Sequence, residues 1–200
     1  MKRYYVFLLI LTAILIVGCA IKLRDKHYVI SYDTDDLEII SQRSVASDKQ
    51  YNIEVREFEI RKIFDTNNLI VFKFPDEIQF DDDNKWAIKL DVMITDLFIK
   101  HLNSKKGIYA YVSDLRSEKP NYFIRGKINN MEIRKVNEKH YPYIDIELSV
   151  YNKKKELFIR DNIKITKAFN EFNMDHFVEY MASDLKAEFD LFINNFMKKI

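Results

Sequence analysis

The sequence predicts an α+β fold: a mixed, largely antiparallel sheet with two long amphipathic helices packed on one face. Three observations lead there. Alternation of apolar and polar residues at period two recurs in several short stretches. Spacing of three and four takes over in two long ones, residues 85–102 and from Asp175 onward. The last three strand patterns follow one another across short polar connections, the economical signature of an antiparallel meander. At 200 residues the chain has room for one domain with a sizeable core, and fifteen Phe and twelve Tyr supply it. Three Gly and three Pro leave no room for a low-complexity segment.

Residues 1–18 read as a secretory signal. Lys2 and Arg3 precede an apolar run from Tyr4 to Val17, and the chain turns charged again at Lys22, Arg24, Asp25 and Lys26. A basic start, a short apolar run and a small residue before the cut mark a segment removed on export. The run is shorter than the roughly 20 apolar residues that cross a bilayer, which disfavours the alternative of an uncleaved anchor. The tetrad Ile16, Val17, Gly18 and Cys19 resembles a bacterial lipobox. That resemblance implies acylation of Cys19, which becomes the first residue of the mature chain. Residues 19–26 are then a tether and residues 27–200 the folded domain. Enterobacterial lipoproteins kept at the inner membrane carry Asp after the Cys. Ala20 stands there instead, so the expected location is the outer membrane, facing the periplasm.

The domain opens with a short strand pattern at residues 27–31, followed by the acidic group Asp33, Asp35 and Asp36. Leu37 and Glu38 fall where a calcium loop would need an oxygen ligand and Gly, respectively, so this is read as a solvated loop. Residues 51–58 alternate, with Tyr51, Ile53, Val55 and Glu57 on one side, as a half-buried strand does. Residues 69–74 form a denser apolar run that Pro75 ends, since proline cannot donate to a ladder. Asp81, Asp82, Asp83 and Asn84 are read as the N-terminal cap of a helix over residues 85–102. Its stripe is Trp86, Leu90, Met93, Ile94, Leu97 and Ile99, and Gly107 lies in the loop that ends it. Strands follow at residues 108–112, 122–133, 143–151 and 157–168. In the third of these, Ile144, Ile146, Leu148 and Val150 alternate with Tyr143, Asp145, Glu147 and Ser149, so one face needs a cover. The final helix supplies it with Phe177, Met181, Leu185, Phe189, Phe192 and Phe196. Such a stripe could line a lipid groove, but in a covering helix it is ordinarily core.

Several chemistries are excluded or unsupported. The formal charge is +1, and losing Lys2 and Arg3 with the signal makes it −1, which argues against nucleic-acid binding through phosphate neutralisation. The one cysteine is Cys19, so the domain forms no internal disulfide. His27, His101, His140 and His176 have no partners at metal-ligand spacing, so neither a metal site nor a cofactor is expected. No nucleophile elbow, P-loop or dinucleotide fingerprint occurs, and the chain is not expected to be an enzyme.

Taken in order, these pieces resemble the ABC-type transport auxiliary lipoproteins, the family that includes PqiC-like partners of Mce-domain lipid transport systems. The resemblance rests on residues 27–30 after the tether, on Ile53, Val55 and Phe58, and on a polar turn with Trp86 at the start of the first long helix. It also rests on Arg125 and Gly126 in the strand after that helix. Lys127 departs from the family pattern, in which acids are common there. The resemblance implies an accessory role for an inner-membrane ABC permease and ATPase and an Mce-domain substrate-binding protein. The cargo would be phospholipid or a similar hydrophobic molecule, and a homo-oligomeric ring would suit a symmetric Mce partner. It implies Trp86, Arg125 and Gly126 as structural or interface residues. The alternatives are an outer-membrane assembly scaffold partnering a β-barrel and a periplasmic enzyme, for example a hydrolase.

Overall fold

The computed structural model describes residues 25–33, 51–112, 119–169 and 172–200. Ile16, Val17, Gly18 and Cys19, and most of the acidic group after Tyr32, lie outside these residues.

The fold is organised by one long strand. In chain order the strands are β1 (Lys26–Tyr28), β2 (Tyr51–Val55), β3 (Glu59–Ile60), β4 (Asn68–Lys73), β5 (Glu77–Trp86), β6 (Ile108–Val112), β7 (Tyr122–Val136), β8 (Lys139–Asn152) and β9 (Leu157–Thr166). The helices are α1 (Leu90–Asn103) and α2 (Met174–Met197). One edge of β7 takes β2, β3 and β4 in succession, all parallel: Tyr122–Ile124 meet β2, Lys127 and Ile128 meet β3, and Ile133–Lys135 meet β4. Its other edge takes β8 antiparallel, and β8 takes β9. The sheet is therefore mixed. Its longest ladders are antiparallel, as expected, while the short N-terminal strands join in parallel.

The β7–β8 hairpin turns through Asn137 and Glu138, both at positive φ, the conformation a two-residue turn needs to match strand twist. Ile144, Ile146, Leu148 and Val150 all face the core, as their alternation predicts. The stripe of α2 is buried in full, from Phe177 to Phe196, so these residues are core and do not line a groove. Asn173 caps α2, its side-chain oxygen accepting from the amides of Asp175 and His176.

Three expectations are corrected. First, residues 81–86 are strand, not helix cap and helix. Asp81 does accept backbone amides, from Asp83 and Asn84 at 2.9 Å each, but these belong to a bulge in β5. An Asx-type turn satisfies the same donors a helix start would, which is why the composition was ambiguous. Trp86 ends β5 and pairs with Tyr28, and α1 begins only at Leu90. Second, the buried stripe of α1 includes Phe98, while Ile99 is only half-buried. Third, the strand over residues 51–58 breaks after Val55. Glu57 is exposed, and Phe58, which continuous alternation would send outward, turns into the core.

β6 ends the strand order, and its outer edge is not left bare. The Asn103 side chain donates to the Ala110 carbonyl and accepts from the Ala110 amide, both at 2.9 Å, as a neighbouring strand would.

Candidate interaction surface

The strand alternation that buries one face of β7, β8 and β9 turns the other away from both helices. On β7 that outward set is Arg125, Lys127, Glu132 and Arg134, the bulge between Ile128 and Asn130 restoring the phase. On β8 it is Tyr143, Asp145, Glu147, Ser149 and Tyr151. The two arginines are held in place. The Arg134 guanidinium lies 3.4 Å from the centre of the Tyr143 ring and 6.0 Å from that of Phe72, while its Nε donates to Glu132 at 2.7 Å. Glu132 is itself buried, so the contact is a partly desolvated charge-assisted bond stiffened by a cation–π stack. Arg125 sits 5.3 Å from the centre of the Tyr151 ring. Planar guanidiniums held over aromatic rings form a preorganised polar surface, the kind that contacts a protein partner at little entropic cost.

The residues singled out from the sequence do not form a cluster. Arg125 and Gly126 are neighbours on β7 and so face opposite ways. Arg125 is on the outer face. Gly126 is inside, where the Phe58 ring occupies the space a side chain would need: a Cβ there would lie 2.4 Å from two ring carbons. Trp86 is on β5, separated from β7 by β4, and only 2% exposed.

Sequence reasoning missed a titratable cluster between the helices. His101 of α1, 1% exposed, approaches Asp190 of α2 with Nε2 to Oδ1 at 3.1 Å, and Lys105 contacts the same oxygen. Burial holds the His101 pKa below the ordinary histidine value, against the pull of Asp190. The hydrogen bonds from Lys105 and His101 outweigh burial at Asp190 and keep that carboxyl below its usual range. With His101 neutral and donating from Nε2, its Nδ1 is a buried atom with no hydrogen-bond partner among the described residues, as is the Tyr32 hydroxyl, whose ring packs edge-on at 5.6 Å. The geometry joins α1 to α2. A helical phase shared by His101, Ile94 and Leu97 was the available signal. Among the described residues, no group of three or more His, Cys, Asp or Glu is placed to hold a metal. A shallow cleft of about 350 Å³ opens at the far end of the sheet, lined by Tyr51, Tyr122, Asn121, Asn152, Lys153 and Lys154.

The fold is similar to known structures. The crystal structure of an uncharacterized protein superposes with a TM-score of 0.67 at 13% identity, over 86% of this chain and 99% of the other. Protein XCC0632 from Xanthomonas campestris gives 0.62 at 10% identity, over 85% of this chain and 91% of the other. At such identities the likeness is one of fold. No curated protein matches the chain. The model of one family, the ABC-type transport auxiliary lipoprotein component, matches residues 37–188, and the chain belongs to that family.

Proposed function

We propose that this chain is the lipid-anchored accessory component of an Mce-type ABC transport system for phospholipids or other hydrophobic molecules, acting by docking or bridging and not by catalysis. The observation that carries this is the family match over residues 37–188. In this reading Cys19 is acylated after removal of residues 1–18. Residues 19–26 tether the domain, residues 27–200, to the outer membrane on its periplasmic side. A single acyl chain holds a protein only marginally, so durable anchoring uses the several chains of a processed lipoprotein. The permease and ATPase supply energy, and the Mce-domain protein is the docking partner.

Two structural features favour docking over lipid carriage. The apolar stripe of α2 is spent in the core, where Leu185, Phe189, Ile193 and Phe196 are all fully buried. The outer face of β7 and β8 instead offers stacked guanidiniums, Arg134 on Tyr143 and Arg125 on Tyr151, for contact with a polar partner surface. The test is purification of the tagged, lipidated protein in mild detergent, with mass spectrometry of co-isolated proteins and lipids. Recovery of an Mce-domain protein or its ABC permease is expected. A β-barrel partner in their place overturns the reading in favour of an assembly scaffold.

A further inference from the structure

The β4–β5 hairpin carries an unexplained cluster of exposed apolar side chains. Phe74, in the turn, is 72% exposed; Ile78 and Phe80 of β5 are 41% and 48% exposed. Ile78 and Phe80 are two apart on one strand and so share a face, and Phe72 lies directly opposite Ile78 in the ladder. Among the described residues, the buried core cluster is built without these three side chains. Isolated apolar residues on a surface are ordinary, but three around one hairpin tip form a patch that calls for a partner.

The position of the tether says what that partner is. β1 pairs in parallel with the far end of β5, Lys26 opposite Asn84. The chain therefore enters β1 from the direction of the hairpin turn. Glu77, the first residue of β5, precedes Asn84 by seven residues, a span of at most about 24 Å for an extended strand. Cys19 precedes Lys26 by seven residues as well, and extended chain reaches at most about 25 Å over that length. Seven residues of chain are therefore long enough to span from the start of β1 to the hairpin tip.

Charge at the tip fits a lipid surface better than a charged partner. The Phe74 amide donates to the Lys135 carbonyl, which places the β7–β8 turn beside the tip. There Lys73 pairs with Glu77 at 3.7 Å and Lys135 with Glu138 at 3.0 Å, while Asp76 and Lys139 add one charge of each sign. Balanced charge around exposed phenylalanines suits the zwitterionic interface of a bilayer, where apolar burial and not counter-charge gives the binding.

We propose that the β4–β5 hairpin is a second membrane contact, its Phe74, Ile78 and Phe80 seated in the lipid interface beside the acylated terminus. This rests on the reading that Cys19 carries the lipid. The two contacts together fix the domain's orientation on the membrane, which a single flexible tether cannot do. The hairpin end then faces lipid and the opposite end of the sheet faces away from it.

The test uses the full-length acylated protein in phosphatidylcholine vesicles. Cys19 is the only cysteine, and its sulfur is consumed by acylation. An introduced cysteine is then the one free thiol for an environment-sensitive dye. Phe74→Cys, Ile78→Cys and Phe80→Cys report on the hairpin. Leu191→Cys, 58% exposed on α2, reports on an equally apolar site elsewhere. The expected result is blue-shifted emission at the three hairpin positions but not at 191, quenched by nitroxide-bearing phosphatidylcholine and unchanged by added salt. Water-like emission at all four positions, with intact mass confirming the acyl chains, overturns the hairpin contact and leaves the anchor standing. A blue shift that nitroxide lipids do not quench marks contact with protein, a second copy or a partner, and overturns it too. An intact mass without acyl chains overturns the anchor, and the hairpin contact with it.

Discussion

Replacing Gly126 by alanine should destabilise the domain, through space and not through backbone conformation. Gly126 is in β7 and is not among the residues at positive φ, so its backbone accepts any side chain. The obstacle is Phe58, whose ring carbons would lie 2.4, 2.4 and 2.5 Å from the new Cβ. Ordinary contact begins near 3.4 Å, so the ring must retreat by about 1 Å. It has little freedom to do so. The Phe58 amide donates to Thr95 Oγ1 at 2.9 Å, and the ring packs on Phe98 at 5.6 Å, itself 4.9 Å from Phe189. Overpacking of this kind costs about 1–3 kcal/mol, and three close contacts place the case at the upper end. Relief of glycine's entropy in a strand offsets about 0.5–1 kcal/mol. The net loss is about 2 kcal/mol, which for a domain of this size lowers Tm by about 4–8 °C. Urea unfolding should show a lower midpoint at unchanged slope. Combining Gly126→Ala with Phe58→Leu should cost less than the two single changes together, because the smaller side chain makes room. A Gly126→Ala protein as stable as the parent, or strictly additive costs in the double variant, would refute the reasoning.

Trp86→Ala should cost about 3–5 kcal/mol, since Trp86 is buried at the end of β5; unchanged stability with lost partner binding would make it an interface residue instead. Cys19→Ser should yield protein that lacks acyl mass and no longer fractionates with its membrane, and unchanged mass and fractionation would refute the lipobox reading. Lowering the pH should destabilise the domain through His101. Its folded pKa is held down by burial, so the unfolded chain takes up the proton first. The stabilisation is complete above about pH 6.5 and is lost as the pH falls below it. His101→Gln should flatten the fall in Tm between about pH 7 and 5, leaving a residual slope of the same sign from His140, which burial also holds low; equal slopes in parent and variant would refute it.

Wherever a strand or helix stayed regular over two turns or more, its local pattern was enough to read it. The alternation through Ile144 and Val150 fixed which face of β8 is buried, and the spacing from Phe177 to Phe196 fixed the core stripe of α2, because in a regular element periodicity and geometry are the same thing. The pieces that resisted were those where regularity breaks and a distant partner decides. Asp81 to Asn84 could cap a helix or close a bulge, since both present free amides to a carboxylate, and pairing with β1 and β4 settles it as bulge. Phe58 leaves the phase of β2 because Gly126, 68 positions later, leaves it a hole. The parallel joining of β2, β3 and β4 to a single edge of β7, and the meeting of His101 with Asp190 across 89 positions, carry no local signal at all. The same division holds for function. The resemblance of residues 16–19 to a lipobox is carried by four consecutive residues, whereas bringing Phe74, Ile78 and Phe80 to one hairpin, with β1 running parallel along the same β5 strand, depends on pairings between distant segments. Short-range patterns are written in the order of residues, but contacts between distant segments depend on shape, charge and space that exist only once the chain has closed.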